Sequence, residues 1–311
     1  MTDRKIWAES RYSSFSSNTP EEIEDKFERN TNEHLTRVNQ VRAHRRYREV
    51  NKLAEEPVPL DLLAIGDSWF DYPVADDGLP WFNQDIVAQL TSTGNTSASP
   101  APLILRRAQA GSAMTKVIWL DNQELYLNDI ADSGQWLSGK PDAILVSGGG
   151  DDMVGDQFVI YLDYFGGNLS NRVQGVIDSV EASYMALFQF RDLYAHGTPI
   201  FGHCYDYAIP NGKGVLGQGP WLWPSLKFTG YNYTQGLAIV RDAINRFHTM
   251  LSGLSATSKN LFVLVDTSGT LTRDNLQPLG FANEIHPYTA GFAALADKFI
   301  PALRSKFPGQ I

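Results

Sequence analysis

Five short apolar runs, Leu62–Ile65, Leu103–Arg106, Ala143–Val146, Pro199–Tyr205 and Leu261–Asp266, alternate along the chain with stretches that read as helices. Apolar runs this short, bounded by turn residues, suit strands covered on both faces. The helical stretches are Trp81–Leu90, Asn122–Leu137, Arg172–Ala195, Tyr231–Leu251 and Ala290–Ser305. Strands separated by helices predict an α/β protein, a three-layer α/β/α arrangement around a mainly parallel five-stranded sheet. The Gly-rich segment Asn211–Pro220 interrupts the alternation and leads into Trp221-Leu222-Trp223-Pro224. Long loops inside compact domains are commonly functional.

Ahead of the first strand lies a different kind of sequence. Residues 1–19 are polar and serine-rich, and Thr19-Pro20-Glu21-Glu22 then opens a helix that runs to about Lys52. Threonine caps, proline fits the first turn and the acids face the positive end of the helix dipole. Ile23, Phe27, Leu35, Val38, Val41 and Val50 make only a thin apolar stripe, so this helix is expected to pack one edge on the body, with dimerisation as an alternative role. Glu55-Glu56-Pro57-Val58-Pro59 reads as a linker. The expected organisation is an N-terminal arm and charged helix over 1–56 and a larger domain over 57–311.

Composition narrows the function classes. A formal charge of −9 disfavours a general nucleic-acid binder. No apolar run approaches the ~20 residues needed to cross a bilayer. Cys204 is the single cysteine, which rules out an intrachain disulfide and a cysteine-rich metal site. With no apolar segment at the amino terminus, the expected compartment is the cytoplasm, and export without a cleaved signal stays open.

Four short blocks stand at predicted strand ends. They are Gly66-Asp67-Ser68-Trp69, Ala108-Gln109-Ala110-Gly111-Ser112, Ser147-Gly148-Gly149-Gly150-Asp151-Asp152 and Asn283-Glu284-Ile285-His286-Pro287. Each alone is ordinary turn chemistry. In this order they resemble the SGNH (GDSL) hydrolases over residues 60–305, a family of serine esterases and lipases with a flavodoxin-like fold. The resemblance implies Ser68 as nucleophile and His286 as its base, with no cofactor and no catalytic metal. It further implies an oxyanion hole from the Ser68 and Gly111 N–H groups and the side chain at position 151. The implied substrate is a small-molecule, lipid or carbohydrate ester.

Two residues depart from the family pattern. Asp151 stands where the family has asparagine, and an ionised carboxylate repels an oxyanion. A protonated Asp151, another donor, a shifted register or a purely structural role in the glycine turn are the alternatives. Asn283 stands where the family has aspartate, three residues before the histidine. Asn283, Glu284 or a backbone carbonyl then orients His286. Trp69, His203, Trp221 and Trp223, with Phe228, are the candidate substrate contacts, although His203 also suits a structural role and the aromatics also suit a core. A catalytically weakened binding or assembly module and a metal-dependent phosphoesterase using Asp67, Asp71, Asp151, Asp152, His203 and His286 are the rival readings.

Overall fold

The computed structural model describes residues 19–72, 84–92, 100–165, 168–215, 217–272 and 279–311. The serine-rich arm up to residue 18, Pro73, the Trp81–Asn83 start of one expected helix, and Leu216 of the glycine-rich loop lie outside these residues.

Five strands form one parallel sheet: β1 (Asp61–Gly66), β2 (Leu103–Arg106), β3 (Ala143–Ser147), β4 (Ile200–His203) and β5 (Phe262–Val265). The spatial order is β2-β1-β3-β4-β5, with every pairing parallel. Nearly every strand residue is buried, as apolar runs without alternation require. Helices Arg172–Tyr194 (α6), Tyr233–Ala256 (α8) and Thr289–Lys306 (α9) supply most of the covering layers. The expected three-layer α/β/α architecture is therefore the one observed. The chain turns to opposite sides after β1, placing β2 on one flank and β3 on the other. In open α/β sheets, ligands bind in the crevice at such a reversal.

Helix α1 (Pro20–Val50) begins with a complete capping box between Thr19 and Glu22. Buried His34 and Val38 make its apolar contact, and polar bonds do much of the rest. Arg107, beyond β2, donates to the Phe27 carbonyl and pairs with Asp129 at 2.6 and 2.7 Å. Arg42 donates to the carbonyls of Gly134 and Trp136. A helix so placed covers the β2 edge of the sheet, which would otherwise present unpaired backbone groups.

Helix α2 (Ile86–Ser92) buries Ile86, Val87 and Leu90, the apolar face expected of that stretch. Another expected helix is shorter than its sequence suggested. Asn122–Leu137 resolves into α4 (Leu120–Ala131) followed by a 3-10 turn, Ser133–Gln135. The Asp132 carboxylate accepts the Gly134 N–H, and the buried Trp136 indole donates to the Asp129 carbonyl. Local side-chain bonding of this kind competes with helix continuation. Short helices α3 (Met114–Val117), α5 (Gly150–Met153) and α7 (Trp223–Phe228) carry no sequence period long enough to announce them.

Gly66 ends β1 at φ +137°, and a Cβ there would sit 2.0 Å from the Ser147 carbonyl oxygen. The close approach lets the Asp67 N–H donate to that same oxygen at 3.0 Å. Gly66→Ala is expected to cost at least ~3 kcal/mol, since strained backbone and a backbone clash coincide. Urea unfolding measures this, and a midpoint unchanged from wild type contradicts the account.

Candidate active site

Ser68 follows β1 directly and is buried, as is His286 ahead of α9. Ser68 Oγ lies 2.7 Å from His286 Nε2 across 218 positions of sequence. His286 Nδ1 lies 3.2 Å from Asn283 Oδ1. The same oxygen accepts the backbone N–H groups of Ile285 and His286, at 3.1 and 2.9 Å. The Asn283 amide nitrogen donates to the Tyr72 hydroxyl at 3.0 Å, which sets which way the amide faces. An Nδ1–H donating to an amide oxygen leaves Nε2 bare toward the serine, the tautomer a general base requires. Tyr72 stacks on the imidazole at 4.2 Å, and Trp221 meets it edge-on at 5.7 Å. Burial pushes the His286 pKa down to about 3, so the ring is neutral over the ordinary pH range.

Behind Ser68 lies a buried polar chain. The Tyr205 N–H donates to His203 Nδ1, so His203 Nε2 donates to Ser147 Oγ at 2.9 Å. Ser147 in turn donates to Asp67 Oδ1 at 2.5 Å. Asp67 also accepts the Trp69 N–H and the Tyr205 hydroxyl. Burial raises the Asp67 pKa while these donors oppose the rise. Asp152 accepts N–H groups from Met114 and Thr115 and the Thr115 hydroxyl, which ties the block after β3 to the one after β2.

Asp151 has a different environment. Among the described residues its Oδ2 is enclosed without a hydrogen-bond partner. Burial, and then the charges of Asp67 and Asp152, raise its pKa well above the usual carboxylate range. Asp67 has three donors for its charge, so of the two carboxyls Asp151 is the one that keeps a proton. Asp151, Ser68, Trp69, Met153, Val154 and Ile244 face a cavity of about 50 Å³.

Several expected contacts stand elsewhere. Glu284, a candidate to orient His286, instead accepts the backbone N–H groups of Gly212, Leu222 and Trp223. Its carboxylate ties the start of the glycine-rich loop to the Leu222-Trp223 segment that follows it. His203, a candidate substrate contact, is fully buried and spends its ring nitrogens inside the chain just described. Trp223 packs against Gly212 and Tyr233. Phe228 is largely exposed beside Tyr164. Trp69 and Trp221 do stand near the serine and histidine. Gly111 takes a left-handed φ of +78° in the turn after β2. Tyr72 and the Asp67–Tyr205 contact were not anticipated from sequence; Tyr72 adjoins the first block, and its role depends on a partner 211 residues away.

No family model matches the chain, and no curated protein does. Solved structures do resemble it. One is described as a GDSL-like lipase from Bacteroides ovatus, with 11% identity and a TM-score of 0.47, covering 82% of this chain and 56% of that one. The chain thus spans little more than half the length of that protein. An extracellular lipase from Streptomyces rimosus shares 15% identity at a TM-score of 0.45, covering 79% of this chain and 99% of the lipase. Est24, a carbohydrate acetylesterase from Sinorhizobium meliloti, shares 9% at 0.49, covering 80% of this chain and all of its own. The strand order is the one the resemblance implied. The fold is a flavodoxin-like three-layer α/β/α sandwich. Asp151 and Asn283, the two positions that depart from the family pattern, sit beside Ser68 and His286 respectively. Among the described residues no helix is long and apolar enough to cross a membrane.

Proposed function

We propose that this protein is a serine hydrolase that cleaves a carboxylic ester through an acyl-enzyme on Ser68. The 2.7 Å contact between Ser68 Oγ and His286 Nε2 carries the reading. As Oγ bonds to the ester carbonyl carbon, its proton passes to Nε2. The tetrahedral intermediate collapses, and His286 returns that proton to the leaving alcohol. Water then attacks the acyl-enzyme with His286 again as base, releasing the acid and restoring Ser68.

The developing oxyanion takes the N–H groups of Ser68 and Gly111, and the carboxylic acid of Asp151 serves as third donor while protonated. Each such donor is worth ~10²–10³ in rate. Asn283 orients the imidazole without supplying charge, so turnover is slow for the fold. Within the N-terminal segment 1–56 the helix Pro20–Val50 covers one edge of a hydrolase domain over 57–311.

Intact mass after treatment with a fluorophosphonate tests the nucleophile. Wild type is expected to gain one adduct and Ser68→Ala none. Labelling absent at every pH, or retained in the variant, removes the basis of the proposal.

A further inference from the structure

A second cluster of reactive side chains lies outside the Ser68 site. Cys204 follows β4, Asp266 follows β5 and His248 projects from α8. Their donor atoms all lie within 4.8 Å of one another. Cys204 Sγ is 3.4 Å from Asp266 Oδ1, and His248 Nε2 is 3.6 Å from Asp266 Oδ2. Zinc bound tetrahedrally at about 2.0–2.3 Å holds its donors roughly 3.3–3.8 Å apart. The His248–Oδ2 separation falls in that window, the sulfur approaches the other carboxylate oxygen, and a small rotation of the carboxylate and sulfur closes the set from within 4.8 Å.

The surroundings support a metal. Asp266 Oδ1 accepts the Ser268 N–H and hydroxyl, at 3.0 and 2.6 Å, which fixes the carboxylate and leaves Oδ2, the oxygen beside His248, as the ligating atom. His248 is one-third exposed and Asp266 more than half, which leaves a solvent-facing fourth position. Cys204 itself is fully buried, and its sulfur points at the carboxylate and at Thr267 Oγ1. The bland alternative is a surface ion pair between His248 and Asp266 above a packed thiol. In that alternative the thiol simply donates to Asp266 Oδ1, and cobalt titration separates the two.

We infer that Cys204, His248 and Asp266 bind one zinc ion, with water in the fourth position. Thiolate, imidazole and carboxylate together select zinc over calcium or magnesium, which take all-oxygen sets. On binding, the Cys204 thiol loses its proton to solvent and its sulfur lone pair forms the metal bond. No electron is transferred. A single cysteine excluded a cysteine-rich site but not this mixed one. The ion would clamp the ends of β4 and β5 to α8. The next residue, Tyr205, bonds Asp67, and Asp206 holds the loop after β5 through the N–H groups of Gly269 and Leu271.

The test uses the full chain, treated with a chelator, desalted and titrated with Co²⁺. One equivalent is expected to produce a thiolate-to-cobalt charge-transfer band in the near ultraviolet and visible bands of tetrahedral strength. Zn²⁺ should bleach both and raise Tm. His248→Ala, at a half-buried position that leaves the core alone, is expected to weaken uptake at least ~10-fold. Cys204→Ser should abolish the charge-transfer band, and if that buried substitution unfolds the chain, Asp266→Asn is expected to weaken uptake at least ~10-fold. No sulfur band at stoichiometric cobalt, or equal uptake by His248→Ala, overturns the site.

Discussion

Asn283→Asp is expected to raise ester turnover at neutral pH by at least ~10-fold and as much as ~10³-fold. The reverse substitution in a Ser-His-Asp protease costs about 10⁴. The site is prepared for the charge. Asn283 Oδ1 already receives the Ile285 and His286 N–H groups and stands 3.2 Å from His286 Nδ1. The Tyr72 hydroxyl, which now accepts from the amide nitrogen at 3.0 Å, can rotate to donate to a carboxylate. A Tyr72 hydroxyl turned toward the carboxylate would replace one donor–acceptor pair by another.

The pH dependence gives the prediction a second, independent arm. In wild type, burial holds His286 down to about 3, so loss of the base by protonation falls at strongly acid pH. A carboxylate at 283 favours the imidazolium and raises that pKa. The variant should gain rate near neutrality while its acid limb moves to higher pH. Steady-state rates on a short-chain nitrophenyl ester, with circular dichroism to show the fold intact, decide it. A folded variant with unchanged rate and unchanged acid limb means Asn283 does not orient the catalytic base.

What was legible beforehand follows the range of the interactions involved. Short buried strands announce themselves by composition: β2 occupies Leu103–Arg106 as expected, and β1 extends only to Asp61 and Gly66 beyond its apolar run. The blocks carrying Ser68 and His286 were visible because turn residues at strand ends are local signals. Destinations of side chains were not. Glu284 is one residue from Asn283, yet its partners lie 61 to 72 positions away, on the glycine-rich loop and the segment just after it. His203 ends a strand, and which side its ring takes depends on Ser147 on the neighbouring strand. The Cys204–His248–Asp266 grouping exists only because β4 and β5 are adjacent and α8 packs across them. No spacing along the chain encodes that meeting.

Asp151→Asn is the complementary case, in which the effect depends on pH by design. If the Asp151 carboxyl donates to the oxyanion only when protonated, wild-type activity is full at low pH and falls as pH rises through its raised pKa. Asparagine donates at every pH. The ratio of variant to wild-type kcat/KM is thus expected near ~1 at acid pH, climbing toward ~10² in the alkaline range, the worth of one oxyanion donor. Stability should follow the same sign. A carboxyl whose folded pKa is raised above its unfolded value contributes fully below the unfolded pKa, and that contribution is lost as pH rises through the folded one. Asn carries no such linkage, so the Tm advantage of the variant should widen from acid to alkaline conditions. Oxygen Oδ2 of Asp151, enclosed without a partner, is the reason to expect both effects from one atom. A rate ratio that stays flat across pH would mean that Asp151 merely steadies the Gly148–Gly150 turn, with the oxyanion held by the backbone of Ser68 and Gly111 alone.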